Sequence, residues 1–213
     1  MKITLQNTGK RYNSDWIFRK MDLEISSGNN YVILGANGSG KSTLLQLIAG
    51  NSIPSEGKIV YSDDSGKEIP PENIFSHLSF ASPYLELFEE FTLQESIRFH
   101  SRFKKLGGGL NAAKVTEICY LENAVNKRIR DFSSGMKQRV KLALAILSDT
   151  PLLLLDEPCS NLDQKGVDWY NALVEEHKQN RLIIVCSNLH PEEYRFCNQQ
   201  IRVEDYKVLL NIR

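Results

Sequence analysis

The sequence predicts an α/β fold: a mainly parallel sheet core, strands at the N-terminus, and a helical lobe inserted between two central strands. Three observations predict it. Tyr31–Leu34, Leu152–Leu155 and Leu182–Cys186 are short unbroken apolar runs, the pattern of strands buried on both faces of a sheet. Stretches with helical periodicity lie between them, and strands joined through helices pair in parallel. Before Tyr31 the chain reads as strands of the alternating type, at Lys2–Asn7 and Trp16–Ile25.

Each element has a local reason. Ser26–Asn30 is rich in turn formers and separates the early strands from Tyr31–Leu34, which runs directly into a glycine-rich turn. Leu44, Leu45, Leu47 and Ile48 then mark one face of a helix, which Gly50–Ser55 ends. Gly57–Tyr61 returns as a strand. From about Ser82 to Ser148 the signal is largely helical, interrupted by Gly107–Gly109, so residues of about 83–148 are expected to form the inserted lobe. A helix from Gln164 to about Lys178 follows Leu152–Leu155, and residues 199–212 read as two strands around Glu204–Tyr206. No internal repeat is visible, and residues 1–213 are expected to make a single domain.

Composition excludes several classes. Lys plus Arg and Asp plus Glu balance at 26 each, so the molecule has no bulk attraction for nucleic acid or acidic lipid. Apolar stretches such as Leu142–Leu147 fall far short of the roughly 18 residues that cross a bilayer. The opening MKITLQNTGK lacks the apolar centre of a signal peptide, so a cytosolic chain is expected. Cys119, Cys159, Cys186 and Cys197 show no paired metal-ligand spacing and read as reduced thiols.

Residues 35–43, GANGSGKST, sit between a strand and a helix. Gly35, Gly38 and Gly40 let the backbone curl so that successive N–H groups, with those of Ala36, Asn37 and Ser39, face an anion. The helix that begins at this point adds the positive end of its dipole. Lys41 brings a point charge for β- and γ-phosphates, the Ser42 hydroxyl suits Mg²⁺, and Thr43 closes the loop. At 151–158, PLLLLDEP sets two carboxylates just past a buried strand, at the sheet end where open α/β folds bind ligands. Asp156 suits Mg²⁺, usually through water, and Glu157 suits polarising a water for attack on a γ-phosphate.

Further segments make the resemblance specific. FSSGMKQR at 132–139 resembles the signature of ABC ATPases, and SNLD at 160–163 resembles their D-loop. Order and spacing match over essentially the whole chain. The resemblance implies a P-loop NTPase of ABC type with a RecA-like core and N-terminal antiparallel strands, and ATP and Mg²⁺ as cofactors. It also implies a second cassette packed head to tail, as a homodimer or heterodimer. Ser133, Ser134, Gly135 and Met136 would then face the phosphate held by the other copy, and Asp163 would help couple the two sites. Tyr12 stands where the family has an aromatic that stacks on adenine, packing in the sheet being the alternative. Pro83–Phe91 falls where the family receives short helices of a separate membrane permease, internal packing of the lobe being the alternative. The implied role is an ATPase subunit on the cytoplasmic face of a membrane, with nucleic acid not expected as a partner.

Two positions depart from the family. Where it has a glutamine after a strand like Leu78–Ala81, this chain has Pro83, which offers neither a ligating side chain nor an N–H, so Ser82 or water would fill the gap. Where it has a histidine bonding the γ-phosphate, this chain has Asn188, which donates without a charge and reaches less far. His190, two residues on, is either brought in by a shifted loop or an ordinary surface histidine. Retained ATP binding with slowed hydrolysis is the expectation. Two other readings stay open: a soluble ABC-type protein of DNA repair or translation, and an ATP-gated interaction module with little turnover.

Overall fold

A computed structural model describes residues 1–178 and 181–207. Two sheets organise it. A four-stranded antiparallel sheet, in the order β2-β1-β4-β5, is built from β1 (Lys2–Tyr12), β2 (Asp15–Ser26), β4 (Glu56–Ser62) and β5 (Glu68–Ile69). A five-stranded parallel sheet, in the order β6-β7-β8-β3-β9, is built from β3 (Asn30–Leu34), β6 (Leu78–Ala81), β7 (Leu152–Asp156), β8 (Leu182–Ser187) and β9 (Gln199–Arg202). The expected α/β class, with a parallel core and N-terminal antiparallel strands, is what the chain adopts.

The four leucines of β7 divide between two cores. Leu152 and Leu154 pack with α1 (Lys41–Ile48) and the inner face of the antiparallel sheet, among Ile3, Phe18 and Ile25. Leu153 and Leu155 pack on the opposite side, against α4 (Ser134–Ile146) and α5 (Gln164–His177). A strand covered on both faces has no polar position to spare, which is why its sequence shows no alternation.

The antiparallel sheet departs from ideal pairing. Register slips between Leu5 and Thr8, and Asn7 takes a φ of 46°. This bulge hides the continuation of β1 to Tyr12, because the extra residue breaks the period-two pattern. Gly57 opposes it: a Cβ there would stand 2.2 Å from Asn7 O. Only glycine fits so close an approach.

Between β6 and β7 the helices are α2 (Leu93–Phe103), α3 (Ala112–Ile118) and α4, with short 3-10 turns between them. Helix starts later than the sequence suggested, at Leu93. Pro83 disfavours helix for Ser82, and the first stable cap is the Thr92–Glu95 capping box, with Glu95 N donating to Thr92 Oγ1 at 3.3 Å and Thr92 N to Glu95 Oε2 at 2.8 Å. At the other end of the segment, Arg181 Nη1 donates to Ile146 O at 2.5 Å and Nη2 to Ser79 Oγ at 2.9 Å, tying the end of α4 to β6. Burial pulls that guanidinium down to about 10.

The C-terminal reading needs correction. β9 ends at Arg202, and Val203–Tyr206 is a 3-10 turn; the second expected strand falls mainly on residues 208–212, outside the described residues. Among the described residues no helix is long and apolar enough to cross a membrane.

Candidate functional site

The strand order brings the site together. β8 lies between β7 and β3, and the register sets Asp156, Cys186 and Ile33 in one row. The segments leaving these three strands are the 157–160 loop, the loop at 188 and the glycine-rich loop, so residues more than 100 positions apart become neighbours.

The glycine-rich loop is shaped for an anion. Gly38 and Gly40 have φ of 75° and 107°, and a Cβ on Gly40 would meet Ile17 Cγ2 at 2.3 Å. Helices α2 to α5 are each capped by a side chain, from Thr92, Asn111, Ser133 and Asp163. Helix α1 has no side-chain cap and no acid in its first turn. Leu44 is its first amide with a backbone partner, donating to Gly40 O at 2.9 Å, which leaves the Lys41, Ser42 and Thr43 amides free among the described residues. Donors gathered at the positive end of a helix are what a phosphate requires.

Lys41 is buried, and its ammonium donates to Gly35 O at 2.9 Å, to Ala36 O at 3.1 Å and to Asn188 Oδ1. Asn188 Nδ2 donates to Glu157 Oε1 at 2.6 Å. Glu157 holds a φ of 43°, a conformation uncommon outside glycine, with its N–H donating to Cys186 O at 3.0 Å. Ser42 Oγ donates to Asp156 Oδ1 at 3.2 Å. This hydroxyl and carboxylate form a pair of hard oxygens, which suits Mg²⁺. A cavity of about 440 Å³ opens over the loop, lined by Asn37, Gly38, Gly40, Lys41, Ser42, Thr43 and Glu157 together with Ile17 and Tyr84.

Asp156 is buried, and burial raises its carboxyl above the ordinary carboxylate value; the Ser42 bond opposes this and the charge of Glu157 adds to it. A carboxyl shifted that way prefers its neutral form in the fold. Its stabilising contribution is full below the unfolded value and is lost as pH rises through the folded one. Asp156→Asn is therefore expected to melt higher than the parent protein at pH 8 in metal-free buffer. That gain should vanish below about pH 4, where the unfolded carboxyl is also protonated. Circular-dichroism melts across pH check this, and a variant less stable than the parent at pH 8 contradicts it.

Several supporting residues escaped the sequence reading. Ala36 N donates to Glu204 Oε1 at 3.2 Å, so the turn after β9 props the loop. Glu193 is buried, accepts from Ser187 Oγ, and receives Cys159 N at 3.2 Å, joining the loops after β7 and β8. Burial raises its carboxyl too. No local pattern marks either residue, since each acts across the fold. Tyr84 follows Pro83, is 86% exposed and borders the cavity over the glycine-rich loop, a place that no local pattern gives.

Other expected residues lie apart from this centre. Ser133 Oγ accepts from Met136 N at 3.2 Å, capping α4 while its own hydrogen stays available to donate. Ser134 lines a separate polar cavity of about 220 Å³ with Pro83, Lys137 and Asn161, and Gly135 lies so near Asn161 O that a Cβ would approach to 3.1 Å. Asp163 accepts from Gly166 N at 2.8 Å, capping α5. Tyr12 is half exposed at the tip of β1 with the Lys10 ammonium 5.2 Å from its ring, so it does not pack inside the sheet. Ser82 turns its hydroxyl to its own loop, accepting from Tyr84 N at 3.3 Å. His190 is exposed and borders a cavity of about 330 Å³ with Glu157 and Asn188, but it is Asn188 that bonds Lys41 and Glu157. Around Pro83–Phe91 internal packing accounts for part of the segment. Leu87 packs on the core, whereas Phe88 joins Phe75, Phe80, Phe99 and Phe103 along an apolar cavity of about 420 Å³.

Comparison with known proteins bears on the fold and the kinship of the chain. A family model described as ABC transporter matches residues 18–160. The chain is 31% identical over 193 residues to ABC transporter I family member 1 of Arabidopsis thaliana, covering 88% of this chain and 82% of that one. It is 35% identical over 169 residues to a sulfate/thiosulfate import ATP-binding protein of Thermosynechococcus vestitus, covering 78% of this chain and 49% of that longer protein. A solved ATP-binding subunit of an ABC transporter superposes with a TM-score of 0.82 at 23% identity, over 98% of this chain and 88% of that one. A dimeric ATP-binding cassette bound to ADP and Pi superposes with a TM-score of 0.81 at 24% identity, over 97% of this chain and 96% of that one. The structural likenesses carry the fold, and the family model with the first relative carries the kinship: the chain belongs to the ABC transporter family.

Proposed function

We propose that residues 1–213 form one ATP-binding domain, with a helical lobe at about 83–148, that binds and hydrolyses ATP to drive a separate membrane permease. The observation that carries this reading is the convergence of Lys41, Asn188, Glu157 and the Ser42–Asp156 pair beneath an uncapped helix end. The loop amides and Lys41 bind the phosphates. Ser42 and Asp156 would hold magnesium, which supplies charge neutralisation between the phosphates. Glu157 orients and polarises the attacking water, and Tyr12 offers its exposed ring to the base.

One copy leaves the phosphate open on the side away from the loop. Ser133, with a free hydroxyl hydrogen at the start of α4, and Gly135 are suited to close that side from a second cassette, with Asp163 beside them. The apolar cavity bordered by Phe75, Phe88 and Phe103, with Glu86 at its edge, suits a short amphipathic helix of a permease, which would hold the domain at the cytoplasmic face of the membrane. The balanced charge gives nucleic acid no hold.

Pairing is tested by sedimentation. Glu157→Gln with ATP and Mg²⁺ is expected to sediment at twice the monomer mass, and Ser133→Arg in that background to remain monomeric with ATP still bound. A nucleotide-saturated monomer in the first case would remove the two-cassette arrangement.

A further inference from the structure

Lysine has three N–H donors, and in this chain all three of Lys41 have partners: Gly35 O at 2.9 Å, Ala36 O at 3.1 Å, and Asn188 Oδ1. The other end of the Asn188 amide donates to Glu157 Oε1 at 2.6 Å. Its orientation is set by its partners, because an ammonium only donates and an ionised carboxylate only accepts. One neutral side chain thus occupies both the charge meant for phosphate and the carboxylate meant for water.

We propose that Asn188 is an internal competitor for Lys41, whose amide oxygen an arriving terminal phosphate must displace. This rests on the reading of the loop as an ATP site. The three acceptors of Lys41 are not equivalent. Gly35 and Ala36 offer backbone carbonyls of the loop itself, which cannot leave without distorting it. The amide of Asn188 leaves by rotation about two side-chain bonds. A phosphate oxygen carries charge and an amide oxygen does not, so the exchange runs towards the nucleotide. The displaced amide then has its N–H₂ end free to turn from Glu157 to the phosphate. Arrival of the phosphate and release of Glu157 become one event.

This role and that of a simple phosphate donor predict opposite signs for binding. A donor strengthens binding, so its removal weakens it. A competitor weakens binding, so its removal tightens it, while the hydrolysis step still loses the donor the released amide would supply. Calorimetric titration with the non-hydrolysable analogue AMP-PNP and Mg²⁺, joined to single-turnover phosphate release from ATP, separates the two. Asn188→Ala is expected to bind the analogue about tenfold more tightly, the scale of one bond to a charged group. Its phosphate release should fall by about 100-fold. Asn188→Leu keeps the volume and removes both the acceptor and the donor, so it too is expected to bind the analogue about tenfold more tightly. It also keeps the test decisive if the alanine variant does not fold. Equal or weaker binding by Asn188→Ala or by Asn188→Leu overturns the competitor role. Loss of the ATP-site reading itself would look different: the unaltered protein and Lys41→Ala would then titrate alike.

Discussion

Steady-state phosphate release is expected to fall about 1,000-fold in Glu157→Gln, with ATP affinity kept within about threefold, the range lost when a general base is removed. Three features of the site argue for so large a loss. The carboxylate borders the cavity over the glycine-rich loop. Its backbone is held at a φ of 43°, which costs free energy and fixes where the side chain begins. Its own N–H donates to Cys186 O at 3.0 Å, which anchors the residue to the end of β8. Glutamine keeps the volume and an acceptor for the Asn188 amide but has little basicity. The measurement is phosphate production by the purified chain with saturating ATP and Mg²⁺. An unchanged rate would place the base elsewhere or show that the chain gates an interaction with ATP and does not turn it over.

The second large effect belongs to Lys41→Ala, in which the dissociation constant for ATP is expected to rise about 100-fold. The ammonium is buried at the floor of the loop, where its attraction for phosphate is screened less than at the surface. Its bonds to Gly35 O and Ala36 O also hold the loop's curl, so the variant loses a charge and part of the cradle together. Lys41→Met, which keeps the stem, separates these contributions: a similar loss of affinity with an unchanged melting temperature assigns the effect to the charge. Affinity within about threefold of the parent protein, in both variants, would remove Lys41 from the phosphate site.

Much of the site was legible before any fold was known. The glycine-rich loop, the carboxylate pair after four leucines, and the place of Asn188 after Leu182–Cys186 all lie where a strand ends, and strand ends are marked locally by a change from apolar to polar residues. Less legible were the strand β5 and the 3-10 turn Pro71–His77, too short to establish a period, and the start of α2, which a capping box sets. Glu204 and Glu193 gave no signal at all. Each looks like a surface acid in sequence, and each supports the site through a bond to a residue 34 or more positions away along the chain.

The sequence by itself determined the class of fold, the order of its longer strands and helices, and the residue types able to hold a phosphate and a hard cation, because these depend on hydrophobic pattern and side-chain chemistry over a few residues. Only the tertiary structure decided which of those groups meet. The order β7-β8-β3 inserts Asn188 between Lys41 and Glu157, leaves His190 at the surface, and turns Ser82 into its own loop while Tyr84 reaches the cavity. The physical reason is the pairing of parallel strands, which brings distant segments to one edge of a sheet, so that a hydrogen bond between side chains 147 positions apart depends on register that no local pattern encodes.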